Sequence, residues 1–197
     1  MPQNLVVLDT ETGGLDPAEH SILSLSLVPY AAGFPLYLTI AEPRIIATDR
    51  ALAINHLDPV VLAVHGKTPM LAVETINLYL SSLFGPITKE NRIVLVGQNI
   101  GFDVGFLKRL YRIAGQEKRY DELFSYRTLD TAAVARFLIL AGRLPLTEAS
   151  GTALGKYFGC PPDIEHNALS DAISTAAVLR SLIRVVQPTW KKLLRLV

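Results

Sequence analysis

Cysteine is nearly missing from this sequence: its 197 residues include one, Cys160. An internal disulfide and a multi-thiolate zinc site are thereby excluded, and a reducing, cytoplasmic setting is expected. Charge is scarce as well. Asp, Glu, Lys and Arg make up 19% of the chain, against about 25% in an average globular domain. Nineteen basic and eighteen acidic residues give a formal net charge of +1, so no one-signed field announces a polyanionic partner. The balance does not exclude one, because acidic metal ligands cancel a basic groove in such a sum. No leader is expected, since Met1-Pro2-Gln3-Asn4 lacks a basic start and no long apolar run precedes Asp9. Repeats, low-complexity tracts and Ser- or Pro-rich linkers are absent. The motifs of several enzyme classes are also missing. There is no Gly-x-Ser-x-Gly, and Cys160 stands beside Pro161-Pro162 with no evident catalytic partner. Gly13-Gly14 lacks the spacing of a phosphate loop or a dinucleotide fingerprint.

What the chain does have is apolar surface, at 50% of residues. That share excludes disorder. A chain of this length buries roughly 70% of its unfolded surface and needs no staples, and one domain is expected. Residues 21–41 carry no charge and are long enough to span a bilayer. Pro29, Gly33 and Pro35 interrupt them, and Ser24-Leu25-Ser26-Leu27 alternates. Two strands near 22–28 and 34–42, joined by a turn, are therefore expected, with no membrane contact. Leu5-Val6-Val7-Leu8 reads as a strand covered on both faces, and 92–96 as another. A short strand is expected near 126–129. Asp58-Pro59 and Thr68-Pro69 read as N-caps followed by proline at the first helical position, the second opening a helix to about Leu83 that Gly85-Pro86 stops. Further helices are expected at 104–114, 130–141, 147–158 and 167–186, and 190–197 reads as an amphipathic turn or two. Early strands followed by alternating strands and helices imply an α/β domain with a mixed sheet flanked by helices.

The acids carry the chemistry. Asp9 and Glu11 end the first strand, two residues apart, so their side chains share a face. Two close carboxylates repel, and a divalent cation removes the conflict. Mg²⁺ or Mn²⁺ suits oxygen ligands and keeps places for water and phosphate oxygens. Asp103 stands at the start of a helix, where the macrodipole also favours an acid. Asp171 lies in the first turns of the last helix. His166, five residues earlier, would sit before the helix proper and could swing towards whatever Asp171 faces. Four acids and a neutral histidine able to take a proton from water are what a two-cation phosphodiester hydrolase requires.

Three segments resemble a known family: Asp9-Thr10-Glu11-Thr12-Gly13-Gly14, Asn99-Ile100-Gly101-Phe102-Asp103 and His166-Asn167-Ala168-Leu169-Ser170-Asp171. They resemble, in order, the three motifs of the DEDDh 3′–5′ exonucleases. That superfamily includes the proofreading subunit of bacterial replicative polymerase and ribonuclease T. The tyrosine branch would place Tyr where this chain has Asn167. The resemblance implies a ribonuclease H-like fold, with an exonuclease domain over 1–187 and a tail over 188–197. It implies that Asp9, Glu11 and Asp171 bind metal directly, that Asp103 binds the second of two Mg²⁺ or Mn²⁺ ions, and that His166 is the general base. Thr12 and Gly13 would contact the terminal nucleotide by their backbone, Leu15 would pack on its base, and Asn55 would line its pocket, with His56 outside. Phe102 and Phe106 could supply an aromatic platform, though core packing also accounts for them. Gln98 stands where many relatives have His.

The expected activity is release of nucleoside 5′-monophosphates from the 3′ end of single-stranded or frayed DNA. RNA trimming of the ribonuclease T or oligoribonuclease kind is the alternative; the latter's relatives tend to have Glu-Met-Thr-Gly where this chain has Glu11-Thr12-Gly13-Gly14. A non-catalytic binding subunit is the rival of another class, and the intact acids and histidine argue against it. The chain could act alone, as a homodimer or docked on a polymerase. Lys108, Arg109, Arg112, Lys118 and Arg119 either track a phosphate backbone or form a solvated helix face.

Overall fold

A computed structural model describes residues 4–187, and the tail 188–197 with its expected turn lies outside the described residues. Five strands and eight helices appear among the described residues. In order they are β1 (Leu5–Thr12), β2 (Ile22–Pro29), β3 (Leu36–Thr39), α1 (Asp49–Asn55), α2 (Pro59–His65), α3 (Pro69–Phe84) and β4 (Val94–Gly97). Then come α4 (Gly101–Ile113), α5 (Glu117–Leu123), β5 (Leu129–Asp130), α6 (Thr131–Leu140), α7 (Gly151–Phe158) and α8 (Ala168–Val186). The sheet order is β3-β2-β1-β4-β5. The first three strands form an antiparallel meander, and β1, β4 and β5 run parallel. The uncharged run 21–41 is thus two paired strands, and no described helix is long and apolar enough to cross a membrane.

Strand alternation divides the core between two flanks. Val6 and Leu8 of β1 enter a large cluster with Leu25, Leu95, Ile76 of α3 and Phe106 of α4. Val7 points to the other flank and packs with Val96 against Ala172, Ala176 and Leu179 of α8. Helices α6 and α7 then cover α8 through Leu138, Leu154, Val178 and Leu182. On the sheet side, the small side chains of Ala172 and Ala176 let α8 lie close to β1 and β4.

Six helices begin on a side chain that accepts a backbone N–H: Thr48, Asp58, Thr68, Asp130, Ser150 and Asn167. Each such cap contributes about 1 kcal/mol. The caps explain where expectation and structure differ. Helix α7 starts at Gly151 rather than 147 because Ser150 takes the Ala153 N–H at 3.2 Å. Helix α4 starts at Gly101 rather than 104, with no capping side chain to mark it. Helices α1 and α5 were not expected; each is seven residues long, too short to print a clear period. Strand β5 is two residues at 129–130, not 126–129.

Candidate active site

The site begins where β1 loses a neighbour. Strand β1 pairs with β2 from Val6 to Thr12, but with β4 only from Leu5 to Val7. At Gly97 the β4 chain turns away. A Cβ there would lie 2.7 Å from the Ile100 side chain and 3.0 Å from the Leu8 carbonyl, so a larger residue would have to displace Ile100. The β1–β4 pairing thus ends at the carboxyl ends of the parallel strands, which is where open α/β sheets bind ligands. Asp9 and Glu11 keep the parity of Val7 and face the α8 flank. Their cross-strand partners are Ser26 and Ser24, the serines of the alternating run.

Helix α8 brings Asp171 to them. One carboxylate oxygen each from Asp9, Glu11 and Asp171 lies within 4.8 Å of the others. The trio is poorly solvated and of one sign. Burial first, then the charges of Asp103, Asp171 and Glu11, push the Asp9 carboxyl well above its usual range. Burial and the charges of Asp171 and Asp103 lift Glu11 to about 7. Burial also raises Asp171, and the His166 charge opposes it. Ser24, across from Glu11, carries a buried hydroxyl with no hydrogen-bond partner, alone in this among the described residues. A hard-oxygen donor set that resists ionisation by itself fits a divalent cation, which would relieve the repulsion.

Asp103 comes from the opposite flank. It lies in the first turn of α4, 5% exposed, outside the close trio. Burial raises its carboxyl to about 7, against a hydrogen bond that Thr10 Oγ1 donates to its Oδ1 at 2.7 Å.

His166 sits outside α8, since Asn167 is the N-cap. Its backbone is left-handed, at φ 57°. It lines a recess of about 220 Å³ with Asp9, Gln98, Thr152 and Asp171. The expected swing towards the acids is thus made by the backbone. His56 and Asn99 are the other two non-glycine residues with positive φ among those described. One follows Asn55 at the end of α1 and the other leads into α4.

A larger cleft, about 570 Å³, opens beside Glu11 and is lined by Thr12, Leu15, Asn55 and Phe102. Leu15 is 84% exposed and Phe102 36%, whereas Phe106 is wholly buried in the core. Asn55 is buried; it donates to the Thr12 carbonyl at 3.2 Å and accepts the Leu57 N–H at 3.0 Å. Gly13 is the one expected contact set back from this cleft. Its N–H already donates to the Ser21 carbonyl and its carbonyl accepts the Thr48 N–H. A Cβ there would lie 2.2 Å from the Ile46 carbonyl oxygen, and Gly14 lines the cleft instead. His20 and Arg50 also line it and were missed by sequence reasoning. His20 lies against Gly14, where a Cβ would meet its ring at 2.2 Å. No motif marks either residue; the Thr48 cap was the one available signal for the helix that carries Arg50.

The basic run is largely occupied. Arg109 donates to both Glu42 carboxylate oxygens, at 3.1 and 2.9 Å, and to the carbonyls of Pro17 and Ala18. Lys108 lies 5.6 Å over the Tyr120 ring, and Arg119 pairs with Glu122. The hollow beside them also holds Asp16, Glu117 and Asp121. This favours the solvated-face reading, with Arg109 bracing the loop after β1.

An exonuclease family model, RNase_T, matches residues 6–179. The chain belongs to this exonuclease family. The exonuclease domain also shares its fold with E. coli exonuclease I. Against the zinc-ion-bound form of that enzyme's complex with single-stranded DNA, the TM-score is 0.76 at 18% identity, over 93% of this chain and 41% of that one. Against its complex with a dT13 oligonucleotide the TM-score is also 0.76 at 18% identity, over 96% and 43%. The exonuclease domain thus spans about two fifths of those structures' chains. No curated protein sequence matches it.

Proposed function

We propose that the protein is a metal-dependent 3′–5′ exonuclease that removes nucleoside 5′-monophosphates from single-stranded or frayed DNA. The observation that carries this reading is the trio Asp9, Glu11 and Asp171, with carboxylate oxygens within 4.8 Å, beside the recess lined by His166. Asp9, Glu11 and Asp171 would hold one Mg²⁺ or Mn²⁺, and Asp103 with Asp9 a second. Such cations activate water and stabilise charge building on the scissile phosphate. The chain's own groups do the rest. His166 takes the proton of the attacking water, a task suited to an imidazole near neutral pH. The water oxygen bonds to phosphorus as the bond to the preceding 3′ oxygen breaks. Leu15 and Phe102 hold the terminal base in the cleft. Asn55 keeps the Thr12 carbonyl in place behind it.

DNA is favoured because two solved structures that share the fold, each 18% identical to this chain, are complexes of exonuclease I with single-stranded DNA and with a dT13 oligonucleotide. Matched DNA and RNA strands, labelled at either end and incubated with Mg²⁺, Mn²⁺ or EDTA, test the reading. Metal-dependent shortening from the 3′ end, lost in Asp9→Ala/Glu11→Ala, is expected. Shortening from the 5′ end, or activity that survives both EDTA and the double substitution, would overturn it. A clear RNA preference would keep the mechanism and replace the substrate.

A further inference from the structure

Thr10 does not follow the carboxylates it stands between. Alternation along β1 sends Asp9 and Glu11 to the α8 flank and Thr10 to the α4 flank, with Val6 and Leu8. There its Oγ1 donates to Asp103 Oδ1 at 2.7 Å. Thr10 is 7% exposed and Asp103 5%, so water does not readily replace the bond. Thr10 is the one side chain among the described residues that hydrogen-bonds to Asp103.

We propose that Thr10 is the positioning residue for Asp103: it fixes the carboxylate across the strand from Asp9 and, by occupying Oδ1, leaves Oδ2 as the oxygen that serves a cation. The inference rests on the proposed role of Asp103 as ligand to the second ion. Backbone N–H groups of Asp103 and Thr10 also favour this buried carboxylate, but the Thr10 hydroxyl is the one side-chain donor to it among the described residues. A hydroxyl held on a strand supplies a donor at a set place and orients the ligand, as outer partners of metal ligands do. The middle residue of Asp9-Thr10-Glu11 thereby ties the two flanks of the sheet into one site. A hydrophobic residue of the same shape would pack equally well and leave Asp103 without its side-chain donor.

The test is Mn²⁺ titration of the full chain by calorimetry, with thymidine 5′-monophosphate present to supply phosphate oxygens. Wild type, Thr10→Val, Thr10→Ser and Asp103→Asn are compared. Wild type should bind two ions. Thr10→Val should keep the tighter one and bind the other about 10- to 100-fold more weakly. Thr10→Ser should restore most of the loss, and Asp103→Asn should lack the weaker site. Should Thr10→Val fail to fold, Thr10→Ala gives the same reading. If Thr10→Val binds both ions as wild type does while Asp103→Asn loses one, Thr10 merely satisfies a buried acid and the inference is overturned. If Asp103→Asn keeps both ions, Asp103 is no ligand; the two-ion reading fails first and takes this inference with it.

Discussion

The two halves of β1 are built on opposite rules. From Leu5 to Leu8 the strand is apolar, and as far as Val7 it is paired on both sides. From Asp9 onward it keeps β2 and loses β4, and its outward groups on one face are acids that burial and mutual repulsion hold away from ionisation. The first half lowers the energy of the fold; the second raises it and fits a divalent cation that lowers it again. One strand thus carries both the centre of the core and its weakest point, and the change takes place between Leu8 and Asp9.

Neighbouring substitutions break that comparison most strongly. Asp9→Asn should lower nuclease activity by at least about 10⁴-fold, more than the loss of a general base. It should leave the metal-free chain at least as stable at pH 8, by differential scanning calorimetry, because it removes a repelled charge. Leu8→Ala should do the reverse. It should cost about 2–5 kcal/mol of stability through a core cavity, while the folded fraction still binds Mn²⁺. Equal destabilisation by both would dissolve the distinction between the halves.

A smaller effect separates proton transfer from cation binding. His166→Ala should reduce single-turnover cleavage by about 10²- to 10⁴-fold and leave Mn²⁺ affinity near wild type. Loss of metal affinity would place His166 among the ligands instead.

The second half of β1 should also make stability depend on pH. Metal-free, Glu11 and Asp103 hold protons in the native chain up to about pH 7, whereas an unfolded chain releases them near pH 4. The native state binds more protons across that window, so stability falls as pH rises through it. Mg²⁺ should therefore raise Tm more at pH 8 than at pH 5. In a chain of this size about 1 kcal/mol moves Tm by about 2–4 °C. Glu11→Gln/Asp103→Asn should flatten the metal-free slope, and an unchanged slope would show that other groups set it. The smallest effect belongs to the cleft. Leu15→Ala removes an exposed side chain, so it should raise KM for single strands without changing Tm.

The acids were legible in the sequence because strand parity and helix starts fix their directions. Asp9, Glu11 and Asp171 meet as expected, and His166 precedes its helix as expected. The mixed sheet followed from the order of the strands, and the Ser–Leu alternation of β2 was read correctly as a strand. Its second meaning was not readable: that the serines lie across from the acids depends on register, which a single strand does not display. His20 and Arg50 escaped because they reach the cleft through a loop and a seven-residue helix. Gly13 is expected at the nucleotide only through the family resemblance, whereas Gly14 lines the cleft. Gly13 instead donates its N–H to the Ser21 carbonyl and accepts the Thr48 N–H on its own carbonyl, long-range pairings that a motif does not display.

His56, Asn99 and His166 hold a left-handed backbone that L-residues adopt at a cost of roughly 1–2 kcal/mol each, least for asparagine. Glycine at the first two should therefore raise the melting temperature while loosening the turn after Asn55 and the approach to α4. Hardening against heat and speed of turnover would pull in opposite directions there. The chain leaves part of its attainable thermal resistance unused, and it does so at its working end.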